Sequence, residues 1–365
     1  MERRTLLKSS VAGAASLFLA APAVAQSRPV VKWRMAASFP KNLDILYGAT
    51  VRVSERVAAL TDNNFQIMPF AAGELVPALQ VLDAVQNATV ECGYTPSFFY
   101  VGKDPTFAFD TAMPFGLNAR QQAAWVNEGG GFDLMRNFYK KYGVLHFPAG
   151  NTGAQMGGWF RKEINTVDDL RGLKMRVGGL GAQILAKLGV VPQQIAPGDL
   201  YPSLERGVID AAEWIGPYDD ERLGFVRVAK YYYYPGWWDP CAQTNVFINQ
   251  QHWDNLPKAY QVALETACAE ANNWMVSAYD ARNPVALKRL VAAGAILKPF
   301  PQEILAICEK TTFDHYEEIA KTNEAFRTVY EPWKKFRSDI LLWFNVAEFS
   351  LDSFILRSEQ KRRQG

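Results

Sequence analysis

Histidine is scarce in this chain, with only three among 365 residues. His146, His252 and His315 stand far apart, without the short spacings at which zinc-binding histidines recur. The sequence also offers no phosphate-binding loop and no nucleophile beside a recognisable base. It therefore gives no support to a histidine-based metal centre or a Ser/His/Asp hydrolase.

Cysteine is rare as well, and the four cysteines form no Cys-x-x-Cys pair, which argues against zinc and redox sites. They are Cys92, Cys241, Cys268 and Cys308. In an oxidising compartment they could form disulfides with three connectivities, whereas buried free thiols are equally compatible with a core of this size. The sequence leaves both alternatives open.

The first 25 residues have the pattern of a signal peptide. The basic residues Arg3 and Arg4 precede an apolar run from Val11 to Leu19, and Ala23-Val24-Ala25 is a small-residue cleavage site. The apolar run is too short and too rich in alanine to favour a membrane anchor. The arginine pair also resembles a twin-arginine export motif. We predict a periplasmic protein, and the sequence leaves its export route open.

Excess charge and further long apolar runs are both missing. Removal of the signal peptide takes three of the 39 basic residues and one of the 37 acidic ones, which leaves 36 of each. A neutral chain does not favour binding to nucleic acid or to an anionic membrane. No later run approaches the length of about 18 apolar residues that a spanning helix needs. The length favours two domains.

The mature sequence begins with an alternation of strands and helices. A strand, a helix, a strand, a helix and a strand are predicted over residues 30–38, 43–60, 65–70, 76–86 and 89–94. This alternation predicts an α/β fold with a parallel sheet covered by helices. Because ligands of such sheets bind beyond the carboxyl ends of the strands, Tyr94 and Thr95 are expected near a cleft.

A second alternation starts after Gly150. Extended segments are predicted at residues 155–161, 174–177 and 208–215, with helices at 182–188 and 200–206. The break at Gly216-Pro217 is typical of a domain boundary region. The strand predicted from Asn245 to Asn249 would return to the first domain.

The last third of the chain is predominantly helical in pattern. Helices are predicted over residues 256–292, 302–331 and 333–356, with a short extended piece at 294–299. Pro332 is expected to end or kink the helix. The tail carries many large apolar side chains, namely Phe313, Tyr316, Phe326, Trp333, Phe336, Leu342, Trp343, Phe344, Phe349 and Phe354. They could pack on the parent domain or on a partner subunit.

Arg176 is the first candidate for ligand binding. It ends the predicted strand at residues 174–177 and precedes Gly178, Gly179 and a helix. A guanidinium can hold a carboxylate through two parallel hydrogen bonds, and glycines before a helix let an anion approach the backbone. A surface salt bridge is an equally strong interpretation of the local sequence.

Two acids and one amide are the candidates for holding a cation. Glu213 ends an apolar strand, and Asp239 follows an aromatic run from Tyr231 to Trp238. Together with Gln155 these residues could offer oxygen ligands to a hard cation. The aromatic run could instead serve as core packing, exclude water from a small ligand or stack on a sugar. A cationic fork at Arg176 favours an acid over a neutral sugar.

Three blocks in this order resemble the solute receptors of tripartite ATP-independent periplasmic (TRAP) transporters. The blocks are residues 168–176, 188–192 and 204–213. The segments Glu213–Pro217 and Tyr234–Pro240 are most similar to the branch that binds 2-oxo or 2-hydroxy monocarboxylates with a metal ion. The chain departs from that branch at Trp238 and Asp239, where His and Glu are expected.

The resemblance implies a fold and a site. The fold would be the two-lobed α/β periplasmic binding protein fold with a long C-terminal helix that frequently forms a dimer. Residues 26–150, completed by parts of 240–300, would form lobe I, residues 151–239 lobe II, and residues 301–365 the dimerisation element. Arg176 would bind the substrate carboxylate and Tyr94 would orient the ligand. A sodium or calcium ion would be held by Gln155, Glu213, the Trp214 carbonyl and Asp239.

Function follows as an expectation of the same resemblance. The protein would bind a pyruvate-like or lactate-like acid and deliver it to a TRAP membrane permease, without catalysing a reaction. An exported enzyme acting on small acids is one alternative, although no nucleophile and base support it. A periplasmic sugar or acid sensor is another.

Overall fold

Two mixed β-sheets organise residues 29–364, the part of the chain that the computed structural model describes. The predicted signal peptide, residues 1–25, lies outside the described residues. The strands are β1 (Val31–Ala37), β2 (Phe65–Phe70), β3 (Cys92–Thr95), β4 (Val144–Asn151), β5 (Gly158–Phe160), β6 (Lys174–Arg176), β7 (Val191–Gln193), β8 (Ala211–Ala212), β9 (Tyr231–Tyr234), β10 (Gln243–Asn249) and β11 (Ile296–Pro299).

Helices cover both sheets and form the C-terminal third. They are α1 (Leu46–Leu60), α2 (Val81–Gln86), α3 (Ala119–Asn127), α4 (Gly131–Tyr139), α5 (Gly179–Lys187), α6 (Leu200–Glu205), α7 (Pro217–Leu223), α8 (Gln250–Asp254), α9 (Lys258–Ala292), α10 (Gln302–Thr322), α11 (Glu324–Phe344) and α12 (Ser350–Gln364). None of the helices in residues 29–364 is long and apolar enough to cross a membrane.

The first sheet has the order β2-β1-β3-β10-β4. Strand β1 pairs in parallel with both β2 and β3, as the alternation of strands and helices predicted. Helix α1 buries Leu46, Val53 and Val57, which recur at helical spacing along one face. Strand β10 then runs antiparallel between β3 and β4. The strand predicted over residues 245–249 is therefore confirmed, and it pairs within the first sheet.

The second sheet has the order β11-β9-β5-β8-β6-β7. The strand predicted over residues 208–215 is much shorter than expected, because only Ala211 and Ala212 form β8. Val208 is about half exposed. Beyond Ala212, the Glu213 amide donates to the Arg176 carbonyl at 2.9 Å and the Ile215 carbonyl accepts from the Met156 amide at 3.0 Å. Strand β8 thus ends directly before the candidate acid Glu213.

Helix α9 connects the two halves of the molecule. It spans 35 residues. It packs on strand β4 of the first sheet, on helix α1, and on helix α7, which follows strand β8 of the second sheet. Its buried face includes Ala271, Met275 and Tyr279. The division into lobes at residues 150 and 239 stays a prediction.

The two C-terminal helices α10 and α11 meet at Asn323, so the predicted helix end at Pro332 is wrong. Asn323 caps α11 by accepting a hydrogen bond from the Phe326 amide at 2.8 Å. Pro332 lies inside α11, where a proline costs about 3 kcal/mol. Its neighbours Tyr330 and Trp333 are fully buried, and burial of each large apolar side chain contributes about 1.5–3 kcal/mol. The free energy gained by burying these two side chains therefore offsets the cost of the proline.

The large apolar residues of the tail divide into a buried and an exposed group. Phe326 and Trp333 pack on Phe109, with ring centroids 4.9 and 5.7 Å away, so this part covers the parent domain. The exposed group includes Leu342, Trp343, Phe349 and Phe354, which are 61–69% exposed. The expected packing on the parent domain is thus confirmed for the first group, and packing of the second group on a partner subunit stays a prediction.

Candidate functional site

A cavity with about 330 Å³ of empty space is lined by residues of both sheets and of the segments that follow their strands. Its walls are formed by Phe39, Leu46, Pro96, Phe98, Phe99, Thr152, Gln155, Arg176, Glu213, Trp214, Ile215, Asp239, Ala242 and Thr244. Four of the five residues predicted to bind ligand or cation through their side chains lie here, as does Trp214.

Arg176 is buried at the end of β6, with 1% of its surface exposed. Its Nη1 donates to the Glu213 carbonyl at 2.7 Å and to Glu213 Oε2 at 2.5 Å. The guanidinium also lies 4.9 Å from the centre of the Trp214 ring. Its Nε has no hydrogen-bond partner among the described residues. One edge of the fork is therefore held by Glu213, and the other edge has donors left for an anion.

The two glycines that follow Val177 make room for a neighbouring aromatic ring. A Cβ on Gly178 would lie 2.2 Å from the Phe98 ring, and one on Gly179 would lie 3.0 Å from it. Gly179 also has a φ of +61°, which favours glycine. These glycines thus allow the wall residue Phe98 to pack against the backbone after Arg176, and approach of an anion to this backbone stays a prediction.

Three oxygen atoms converge beside the arginine. Gln155 Oε1 lies 2.7 Å from the Trp214 carbonyl oxygen and 3.3 Å from Glu213 Oε1. Its Nε2 points the other way and donates to Thr152 Oγ1 at 3.0 Å. Reversing the amide would place Nε2 against the two oxygens as a donor. The reversed amide satisfies its hydrogen bonds without a cation, whereas Oε1 facing the other two oxygens is the arrangement that a bound cation would stabilise.

Burial disfavours negative charge on both acids of the cavity. It raises the pKa of Glu213 to about 7, and the neighbouring Arg176 lowers this pKa only in part. Burial also raises the pKa of Asp239 well above its usual range, and the charge of Glu213 raises it further. A cation between the two carboxylates would favour their ionised forms.

The residues present fit a hard cation. Glu213 and Asp239 supply carboxylates, Gln155 an amide oxygen and Trp214 a carbonyl oxygen, which are the ligands that sodium and calcium accept. Residues 29–364 contain no cluster of three or more His, Cys, Asp or Glu side chains placed to hold a metal. A cation in this cavity would thus depend on neutral oxygens beside two carboxylates, a set that does not favour a transition metal.

Tyr94 lies behind the cavity wall, outside the residues that line it. Its hydroxyl is 2.5 Å from Thr244 Oγ1, and Thr244 does line the cavity. The tyrosine is completely buried, and this raises its pKa. Direct orientation of a ligand by Tyr94 stays a prediction, since the structure gives it an indirect path through Thr244.

Four charged and aromatic side chains form a network that we call the rim network. Two of its members, Asp44 and Tyr218, are near the cavity residues Leu46 and Ile215 in sequence. It consists of Asp44, Tyr218, Arg222 and Arg282. The Tyr218 hydroxyl donates to Asp44 Oδ2 at 2.9 Å, and each arginine approaches the same carboxylate at 3.3 Å. Both guanidiniums also lie over the Tyr218 ring, at 4.6 and 5.2 Å. The network joins the segment after β1 to helices α7 and α9.

Comparison with known proteins identifies the family. Residues 36–323 match the family model of bacterial extracellular solute-binding proteins, family 7 (DctP). The chain belongs to this family. The resemblance to TRAP solute receptors that the sequence suggested is thereby confirmed. One curated relative in the family is the monocarboxylate 2-oxoacid-binding periplasmic protein of Nostoc, 50% identical over 365 residues, which cover 98% of this chain and 100% of the relative.

Solved structures of TRAP solute-binding proteins share the fold. A protein from Bordetella bronchiseptica, 50% identical, superposes with a TM-score of 0.90 over 92% of this chain and 100% of its own. It is a mixed-occupancy dimer with copurified calcium and picolinate. A protein from Pseudoalteromonas atlantica with bound sodium and pyruvate, 36% identical, has a TM-score of 0.86 over 88% and 98% of the chains.

Sequence reasoning missed much of the wall of this receptor. The missed residues are Phe39, Leu46, Pro96, Phe98, Phe99, Thr152, Ile215, Ala242 and Thr244. Phe98 and Phe99 follow β3 directly, so the rule that placed Tyr94 near a cleft could have included them. Thr152 and Ala242 stand in irregular segments and carry no local pattern that would have marked them.

Proposed function

We propose that this protein is the substrate receptor of a TRAP transporter and binds a small 2-oxo or 2-hydroxy monocarboxylate together with a sodium or calcium ion. The observation that carries this proposal is the arrangement of Arg176 beside three converging oxygens. One edge of its guanidinium is held by Glu213, and its buried Nε has no partner among the described residues. A ligand carboxylate would complete the fork.

The acids of the cavity explain why a cation accompanies the substrate. Two ionised carboxylates, Glu213 and Asp239, would repel an anionic ligand in a site of low dielectric constant. The cation supplies positive charge and accepts oxygen ligands from the protein and from the 2-oxo or 2-hydroxy group. Gln155 and the Trp214 carbonyl complete the oxygen set on the protein side.

The apolar wall limits the ligand to a small acid. Phe98, Phe99 and Leu46 face the cavity, and Arg176 is its only lysine or arginine among the described lining residues. A dicarboxylate would therefore bring a second negative group without a matching cation. Pyruvate and its short apolar analogues match this wall and its single positive charge.

The receptor performs transport without a chemical step in this proposal. Closure around the ligand buries it, and the closed form is the one that the membrane permease would bind. Residues 1–25 would direct the protein to the periplasm, with the twin-arginine route as the proposed one. An exported enzyme or a sensor would use the same pocket, and turnover of bound pyruvate would favour the enzyme.

We also propose that the exposed part of the tail forms a homodimer. Trp343 and Phe349 belong to an exposed apolar group beyond residue 340, and a face of this kind is typical of protein interfaces. Sedimentation at micromolar concentration should show a dimer that Trp343→Asp converts to monomer. Met68→Asp, at another exposed apolar side chain, is the matched control. A monomeric wild-type protein would exclude the dimer.

Native mass spectrometry of the purified, undialysed protein tests the proposed function. The expected mass excess corresponds to one small organic acid and one sodium or calcium ion per chain. Adding a chelator should remove the calcium form and release the acid with it. A bound neutral sugar, or an acid that stays fully bound after the cation is removed, would overturn the proposal.

A further inference from the structure

Thr152 lies next to the cation ligands and is absent from the residues that the sequence marked. It follows β4 directly and has 1% of its surface exposed. Its hydroxyl accepts hydrogen bonds from the Ala242 amide and from Gln155 Nε2, each at 3.0 Å, and donates to the Gly153 carbonyl at 3.0 Å. A hydroxyl has one hydrogen and two lone pairs, so these three partners use all of its capacity.

The backbone around Thr152 is fixed as well. Its amide donates to the Ala242 carbonyl at 3.0 Å, while the Ala242 amide donates to its hydroxyl. These two contacts tie the end of β4 to the residue that precedes β10. The hydroxyl therefore has a defined place from which to hold a neighbouring side chain.

The Thr152 hydroxyl can hydrogen-bond to the Gln155 amide in either orientation of that amide. With Nε2 bound to Thr152, Oε1 faces the Trp214 carbonyl at 2.7 Å and Glu213 Oε1 at 3.3 Å. The reversed amide would donate to the same two oxygens and place its nitrogen where a cation would bind. Its oxygen would accept from the Thr152 hydroxyl at 3.0 Å, and that hydroxyl would then give up its hydrogen bond to the Gly153 carbonyl. The two orientations therefore differ in whether the amide is a cation ligand or a competitor for the site.

We propose that Thr152 is a positioning residue for the cation site. Its hydroxyl holds the Gln155 amide so that the amide oxygen faces the cation. The inference rests on the proposed function, because it concerns the cation of that site. Thr152 has no charge to offer the cation, so its effect passes through the glutamine. Hydrogen-bond partners of metal ligands typically contribute about ten- to hundredfold to metal affinity.

Calorimetric titration of calcium into chelator-treated protein, with saturating pyruvate, tests the proposal. Thr152→Val keeps the shape and removes the hydroxyl, and calcium affinity should fall at least about tenfold. Thr152→Ser restores the hydroxyl and should recover most of that loss. In a Gln155→Ala background the valine substitution should have almost no further effect, because the amide through which it acts is gone.

The controls separate this inference from the proposed function. If the wild-type protein binds pyruvate equally well without calcium or sodium, the cation of the proposed function fails. If the wild-type protein needs the cation and Thr152→Val binds calcium with the wild-type affinity, the cation site stands and only the role of Thr152 fails. Equal losses from Thr152→Val with and without the Gln155→Ala substitution would also overturn it, since the effect would then bypass the amide.

Nuclear magnetic resonance keeps the proposal testable if Thr152→Val does not fold. In the wild-type protein with calcium and pyruvate, the Gln155 side-chain amide protons should show nuclear Overhauser effects to the Thr152 methyl group. Effects from those protons to Trp214, without any to Thr152, would show the reversed amide and contradict the inference.

Discussion

The cavity and the rim network both set carboxylates against guanidinium groups, and they differ in their access to water. In the cavity, the side chains of Arg176 and Glu213 are 2% and 3% exposed. In the rim network, the Asp44 side chain is 42% exposed and shares two arginines and a tyrosine. The same residue types thus occupy two different dielectric environments.

The difference determines what each group can do. Water screens the charges of the rim network, and an exposed ion pair typically contributes about 0–1 kcal/mol. In the cavity, the loss of one partner leaves a buried charge unpaired, which costs about 3–5 kcal/mol. Burial also raises the pKa values of the two cavity acids, so a cation that binds them would compete with protons. The cavity should therefore dominate ligand affinity, and the rim network should contribute less to it.

Removal of the cavity arginine should have the largest effect. Arg176→Ala takes away the fork that would hold the carboxylate, so pyruvate affinity measured by calorimetry should fall at least about hundredfold, or about 2.7 kcal/mol. Arg222→Ala, in the rim network, is the matched control and should change the affinity only a few-fold. Similar losses in the two variants would erase the contrast between the regions.

Neutralisation of the cavity acid should have the next largest effect. Glu213→Gln removes a charge from the cation site while it keeps the size of the side chain, so pyruvate binding should weaken by about ten- to hundredfold in the presence of calcium. The variant should also lose most of its dependence on added sodium or calcium. An unchanged affinity in Glu213→Gln would reject the role of this residue in holding the cation.

Acidification should weaken binding in the cavity. Burial raises the pKa of Glu213 to about 7 when no cation is present, so below pH 7 a cation must displace a proton from this carboxylate. The affinity for calcium and pyruvate should therefore fall as the pH is lowered through 7, by up to about tenfold per pH unit for each carboxylate that must lose a proton. Arg222→Ala leaves these carboxylates in place and should keep the same profile. Stronger binding at about pH 6 than at about pH 8 would contradict this assignment.

The rim network should give the smallest effect and a kinetic one. Asp44→Asn weakens the contacts to Tyr218 and both arginines, so pyruvate should dissociate about two- to fivefold faster, as measured by stopped-flow fluorescence, with little change in the association rate. Tyr218→Phe removes a single hydroxyl and should have a smaller effect. A slower association with unchanged dissociation would show that the network acts on opening of the cavity instead.

The architecture was largely predictable because its signals are local and repeated. The alternation of strands and helices predicted the parallel pairing of β1, β2 and β3, and the apolar spacing predicted α9. Errors arose where tertiary packing outweighs local preference. Pro332 continues a helix because its aromatic neighbours are buried, and the strand at residues 208–215 shrinks to two residues.

The candidate site was predictable in its charged residues and unpredictable in its apolar ones. Arg176 stands at a strand end shortly before two glycines, and Glu213 ends a largely apolar run, so both are conspicuous in the sequence. Phe39, Ala242 and Thr152 come from separate irregular segments, and only the folded chain brings them together. The Gln155 amide is hydrogen-bonded to a hydroxyl three residues away, a contact for which the sequence offers no pattern.

The central claim is that Arg176 and a cation held by Glu213, Asp239, Gln155 and Trp214 bind one small 2-oxo acid together. Calorimetric titration of pyruvate into chelator-treated protein, in a sodium-free buffer with and without calcium, tests it most directly. We expect tight binding of one pyruvate per chain with calcium and binding at least about hundredfold weaker without it. Equal affinity under the two conditions would contradict the account.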